Sequence, residues 1–276
     1  MTQALEQVEE TFEAGGRRLF ARRWLPAGPP KAHLLIVHGY AEHSGRYAWT
    51  GERLAEAGYA AHAVDLPAHG RSDGVRALLR SLDPCVDAVR ALAAGVEGAT
   101  PRFLLGHSMG GTVVALGAVE RAWDARGLVL SGPALTPGRR ARLQELIVRT
   151  LALIAPRMGI VELPADAVSR DPGVVRAYDA DPLVYRGKIR AATLVAMLSA
   201  QRRIAAAMEH IAQPLLIVHG GDDRLVSPEG SRVLAARAGS ADRTLRIYDG
   251  LYHEVLNEPE RESVLADIVS WIDERL

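Results

Sequence analysis

Cysteine is nearly missing: Cys85 is the only one in 276 residues. No disulfide can form within the chain, and no thiolate cluster can hold a metal. Net charge is missing too, with 33 Lys+Arg against 33 Asp+Glu. That balance offers no basic field for nucleic acid and no acidic tail. No apolar run reaches the roughly 18 residues that a membrane span needs. The opening MTQALEQVEE is acidic, so no signal peptide is expected. No Gly/Ser-rich linker and no internal repeat divides the chain. The nine histidines are scattered rather than grouped as metal ligands. These absences lead to the expectation of a soluble, cytoplasmic globular protein with no metal and no cofactor.

What is present is an alternation of short apolar runs with helical patterns. HLLIVHG (33–39), YAAHAVD (59–65), RFLLGHS (102–108), GLVLSGP (127–133) and PLLIVHG (214–220) are almost continuously apolar, as strands buried on both faces of a parallel sheet are. TLRIYDG (244–250) reads as a further strand. Helical segments lie between, among them LDPCVDAVRALAAG, with Asp83 as the expected N-cap and Pro84 at the first helical position. The pattern predicts an α/β fold with a mostly parallel central sheet flanked by helices. VEETFEAGGRRLFARRWLP reads as a hairpin turning at Gly15-Gly16, so the sheet is expected to begin antiparallel. The alternation breaks between about Ala134 and Ala212, a helix-rich stretch with no clear buried strand. Residues 1–133 and 213–276 are therefore expected to form the core, and 134–212 a helical cap inserted over one end of the sheet.

FLLGHSMGGT (103–112) carries the chemistry. Gly106-His107-Ser108-Met109-Gly110 fits G-x-S-x-G between a strand and a helix. On such a nucleophile elbow the serine sits on a sharp, strained turn, and glycines two residues either side avoid a clash. The following helix aims its N-terminal amides and positive dipole end at the hydroxyl. Serine is a weak nucleophile and needs a base, and the base needs an orienting acid. On an elbow the acid and then the histidine follow the serine in the chain. GDDRLVSP offers Asp222 and Asp223 as the acid, and spacing does not decide between them. LYHEVLNEP offers His253, the one histidine that follows the acid after a late strand. His33, His62 and His219 fall in or beside strands and read as core histidines, while His38 and His107, beside glycines at strand ends, read as structural or oxyanion-loop residues. The oxyanion donors expected are the amides of Met109 and of Tyr40, in HGYAEHSGRY. Cys85 reads as buried helix packing.

Taken together, HGYAEHSGRY, GHSMGG, GGDDRL and YHEVLNEPE resemble the monoacylglycerol lipase family of α/β-hydrolases, also described as serine aminopeptidase S33-like or lysophospholipase-like. The resemblance implies the α/β-hydrolase fold, a nucleophile at Ser108, the acid at Asp223, the base at His253, and oxyanion amides at Tyr40 and Met109. It also implies that Glu42 and Arg46 hold the polar end of a glyceride pocket. The chain departs from the family at Tyr40, where a small or apolar residue is usual, and at Leu256-Asn257, near which some members place a second histidine. The insertion resembles the family's lid. Its apolar segment, Leu143 to Ile160, is expected to cover the acyl tunnel and to touch a membrane or micelle surface transiently, as peripheral contact.

The expected activity is hydrolysis of monoacylglycerols, small-molecule lipid esters, to fatty acid and glycerol through an acyl-enzyme. The alternatives are a lysophospholipase or general carboxylesterase with the same triad, an aminopeptidase using Glu42 or Glu162 for a free amine, and a non-catalytic binding protein of the same fold.

Overall fold

The amino-terminal hairpin, β1 (Glu6–Ala14) and β2 (Arg17–Leu25), turns where Gly15 and Gly16 both take positive φ. In the computed structural model, which describes residues 6–96, 98–135 and 142–276, the hairpin edges an eight-stranded sheet. The next strands are β3 (His33–Val37), β4 (Ala60–Val64), β5 (Arg102–His107) and β6 (Gly127–Ser131). Two very short strands follow, β7 (Gly159–Val161) and β8 (Ile189–Arg190), then β9 (Leu215–Gly220) and β10 (Arg243–Tyr248). The sheet order is β1-β2-β4-β3-β5-β6-β9-β10. β2 runs antiparallel to β1 and β4, and every other pairing in this sheet is parallel. The antiparallel start and the parallel centre both follow the sequence pattern.

The central strands are apolar throughout because they feed two cores. Leu35 and Val37 of β3 join one cluster, Leu34 and Ile36 the other. The helices are α1 (Ala48–Glu56), α2 (Asp83–Ala94), α3 (Met109–Val119), α4 (Arg142–Ile154), α5 (Pro172–Ala180), α6 (Ala191–Ala206), α7 (Glu229–Arg237) and α8 (Arg261–Asp273). α2 and α3 fill the first core, α1 and α8 the second. α3 is buried along its whole length, which is why its sequence shows no amphipathic stripe.

Two local expectations need correction. Asp83 is not the N-cap of α2. Leu82 holds that position without a side-chain bond, while Asp83 lies in the first turn and accepts from Ser81 and Arg203. A carboxylate there still complements the helix dipole. Second, β7 and β8 pair antiparallel inside the stretch read as helix-rich with no clear buried strand. Three and two residues are too short for a periodic signal, and β7 is largely exposed.

The chain leaves the sheet after β6 and returns at β9. Between them, α6 packs on α3 and α4 packs on α6. Residues 136–141, and the side chains of 142–145 with Leu143 among them, lie outside the described residues. Beyond these, α4 presents Leu153 and Ile154 outward at 84% and 75% exposure. Cys85 is fully buried in α2, and burial pushes its thiol up to about 12. Among the described residues no helix is long and apolar enough to cross a membrane.

Candidate active site

β5 ends at His107 and α3 begins at Met109, leaving Ser108 to make the whole turn. It does so at φ +52° and ψ −116°, a region in which a residue with a Cβ is strained. The strain is held from both sides. The Ser108 amide donates to the Ser131 carbonyl at 2.9 Å, and the Ser108 carbonyl accepts from the amides of Thr112 and Ala134. The surrounding glycine is a matter of space. A Cβ on Gly110 would stand 2.0 Å from the Val37 carbonyl oxygen, and one on Gly106 would stand 2.6 Å from that of Gly110. The crossing of β5, α3 and β3 is too close for any side chain there.

The loop after β9 carries both candidate acids. The Asp223 side chain is buried, whereas Asp222 is exposed. Asp223 Oδ1 accepts from the amides of Leu225 and Val226, both at 2.8 Å. Its Oδ2 lies 2.6 Å from His253 Nδ1 and 3.0 Å from His219 Nε2. Of the two aspartates, it is Asp223 that the fold brings against His253. Burial raises its pKa, but the His253 charge and the hydrogen bonds from both imidazoles and from Val226 outweigh it, holding the carboxyl well below its usual range.

His253 lies in the loop after β10, with Gly132 at φ +50° against its ring and the His107 ring 4.7 Å away. With Nδ1–H donating to Asp223, Nε2 is left as the acceptor. Burial lowers the His253 pKa. Asp223, followed by Glu254 and Glu42, outweighs burial, so the net shift is upward.

The loop expected to hold the oxyanion follows β3. His38 ties it down, with Nδ1 2.7 Å from the Gly39 carbonyl oxygen and Nε2 accepting from the Leu66 amide at 2.9 Å. The Gly39 amide donates to Glu42 Oε1 at 2.6 Å. The amides of Tyr40 and Met109 have no acceptor among the described residues. The Tyr40 hydroxyl donates to the Ala77 carbonyl, and its ring meets His69 and Tyr185 edge-on.

Ser108, His253, Tyr40 and Glu42 line one cavity of about 300 Å³. Its wall is mostly apolar, with Leu194, Met197 and Leu198 of α6 and Leu135 beside the elbow. Its polar groups include Glu254, Tyr178 and Gln201. Arg46 stands behind this wall rather than in it. Its guanidinium grips Glu254 Oε1 and Oε2 at 2.6 and 2.7 Å and Glu42 Oε2 at 2.9 Å, and it lies over the Tyr178 ring. Burial raises the Glu254 pKa, but Arg46 prevails and holds it down to about 2. The three side chains brace the oxyanion loop against the loop that carries His253.

Sequence reasoning missed two members of this assembly. Glu254 follows His253 directly and could have been suspected as an acid inside the base's own motif. His219 was read as a core histidine. It is buried in β9, yet it touches Asp223, and its place four residues before that acid was the available signal.

Residues 28–260 match the model of the family described as serine aminopeptidase, S33. The monoacylglycerol lipase of Mycolicibacterium smegmatis is 41% identical over 262 residues, 94% of each chain. The monoglyceride lipase of Homo sapiens is 34% identical, over 98% of this chain and 91% of its own. The crystal structure of Paleococcus ferrophilus monoacylglycerol lipase superposes with a TM-score of 0.83 at 30% identity, over 94% of this chain and 99% of that one.

Proposed function

The chain belongs to the serine aminopeptidase, S33, family, whose fold here is that of the α/β-hydrolases, and from that premise we propose that it hydrolyses monoacylglycerols to a fatty acid and glycerol. One observation carries the proposal: the strained serine and an acid-braced imidazole meet at one mostly apolar cavity, beside two amides that have no acceptor among the described residues.

Ser108 is the nucleophile. Its Oγ attacks the ester carbonyl carbon while His253 Nε2 takes its proton. Asp223 keeps the proton on Nδ1 and stabilises the imidazolium. The amides of Tyr40 and Met109 hold the oxyanion, each worth about 3 kcal/mol of transition-state stabilisation in comparable sites. Collapse breaks the ester bond, and His253 returns the proton to the departing glycerol oxygen. Water then attacks the acyl-Ser108 ester by the same route and releases the fatty acid.

The polar end of the cavity supports a neutral alcohol. Glu42 and Glu254 face it, with Arg46 the cation between them, so the trio carries about one net negative charge. A head group with a net negative charge, such as phosphoglycerol, would meet that field and be disfavoured. Glycerol hydroxyls instead donate to carboxylate oxygens. Residues 134–212 act as the cap, its α6 side chains lining the acyl channel and the exposed Leu153 and Ile154 of α4 touching the lipid surface.

The test is hydrolysis of 1-monolauroylglycerol against the anionic lauroyl lysophosphatidylglycerol, with wild type and Ser108→Ala in parallel. Glyceride turnover that exceeds lysolipid turnover and disappears in the variant is expected. Faster lysolipid turnover refutes the head-group argument, and an active Ser108→Ala protein refutes the nucleophile.

A further inference from the structure

The acid of the site is held by two histidines, not one. His219 sits fully buried on β9 and, unlike His253, does not line the cavity. Its Nε2 lies 3.0 Å from Asp223 Oδ2 and 3.1 Å from the Val226 carbonyl oxygen. Both neighbours are acceptors, so Nε2 carries the proton. Its Nδ1 lies 2.7 Å from Ser231 Oγ on α7, and the Ser231 hydroxyl donates to it. Ser231 is itself fully buried, so it has no water to turn to.

Asp223 thus receives four donors: the Leu225 and Val226 amides on Oδ1, and His253 and His219 on Oδ2. The amides alone would fix one oxygen and leave the carboxylate plane free to tilt about it. The second donor on Oδ2 fixes the plane, and it draws electron density from the oxygen that pairs with His253.

We propose that His219, locked by Ser231, is a positioning residue for the hydrolysis: it shares Asp223 Oδ2 with His253 and so sets both where that oxygen points and how tightly it holds the His253 proton. The inference rests on the reading of Ser108, His253 and Asp223 as the catalytic triad. The groups facing the pair from other elements are Glu42 and Glu254, Arg46 behind them, and His107 beside the ring. They are unchanged in the variants below, so a shift between variants reports on His219.

The experiment compares His219→Phe, His219→Gln and His219→Asn with wild type. Each is checked for folding by circular dichroism. The readouts are labelling by a fluorophosphonate and the pH profile of kcat/KM on p-nitrophenyl butyrate, neither of which depends on the natural substrate. A Gln carboxamide nitrogen falls near the position of Nε2 and an Asn nitrogen near Nδ1, so Gln keeps the donor to Asp223 and Asn loses it. In His219→Phe, kcat should fall about tenfold, the scale of one hydrogen bond to a charged group, with KM nearly unchanged. Its acid limb should move up, because an oxygen with one donor fewer stabilises the His253 imidazolium more. His219→Gln should restore most of kcat and return the limb. Wild-type kinetics in a folded His219→Phe protein overturn the proposal, as does a loss that Gln does not rescue with the limb unmoved. Should the Phe variant fail to fold, equal rates for Gln and Asn overturn it. A wild-type protein that resists fluorophosphonate overturns the triad itself, and the role of His219 falls with it.

Discussion

Removing Arg46 tests whether the brace behind the cavity is as strong as its geometry implies. The guanidinium is 9% exposed and holds two carboxylates that are 3% and 6% exposed. Arg46→Met keeps the length and apolar stem but leaves Glu42 and Glu254 buried without their cation. Breaking a buried ion pair on one side costs about 3–5 kcal/mol. At about 2.1 cal/mol/K per residue, a chain of 276 residues loses roughly 5–9 °C of Tm for that cost. The pH dependence separates this cause from simple loss of packing. In the wild type the Glu254 pKa is held below its unfolded value, so the group contributes stability above about pH 4.3 that is lost as pH falls through about 2. Without Arg46, burial dominates and the folded pKa rises above the unfolded one. The penalty is then full at neutral pH and fades as Glu254 takes up a proton. Thermal melts of wild type, Arg46→Met, Glu254→Gln and the double variant between about pH 8 and pH 5 measure this. The deficit of Arg46→Met should shrink toward acid, and Glu254→Gln should cost less in the Arg46→Met background than in wild type. A Tm loss under about 2 °C, or a deficit that grows toward acid, refutes the reasoning.

The remaining predictions concern the reacting groups and the surface. Asp223→Asn should cost roughly 10⁴ in kcat, the scale seen when a triad imidazole loses its orienting carboxylate, while Asp222→Asn stays near wild type; steady-state rates on p-nitrophenyl butyrate decide. Because His253 must be unprotonated to act and its pKa is raised, the acid limb of kcat/KM should lie above the ordinary histidine value of about 6.5, with activity lost below it. Gly110→Ala should give no correctly folded protein, since its Cβ would stand 2.0 Å from the Val37 carbonyl oxygen; soluble yield and circular dichroism report this. Leu153→Ser with Ile154→Ser should slow turnover of micellar monoacylglycerol but leave a water-soluble ester unaffected, as measured on the two substrates side by side.

Much of this was legible because its causes are local. Continuous apolar runs of five or six residues mark strands with a core on each face, and they became β3, β4, β5, β6 and β9. The glycines around Ser108 reported a crossing of backbones before any backbone was seen, since at such a crossing no other residue fits. The hairpin was written in Gly15-Gly16. β7 was not legible, because three largely exposed residues carry no pattern.

Side chains brought together from distant positions are a different matter. Arg46 and Glu254 are separated by 208 positions, and no periodicity relates them. Arg46 was expected at the polar end of the pocket, but the fold turns it behind the wall. His219 looked like any histidine in a buried strand until β9, the loop at Asp223 and α7 closed around it. Spacing could not choose between Asp222 and Asp223, because the decision depends on which carboxylate the turn buries against His253. By itself, then, the sequence determined the α/β architecture, the elbow at Ser108 and the order of its partners, because hydrophobic period, backbone sterics and chain order are properties of short segments. Only the tertiary structure decided which aspartate meets His253, what holds that aspartate, and where the charges behind the cavity lie. Coulomb and hydrogen-bond energies depend on distances of a few ångströms, and such distances exist only after the chain has folded.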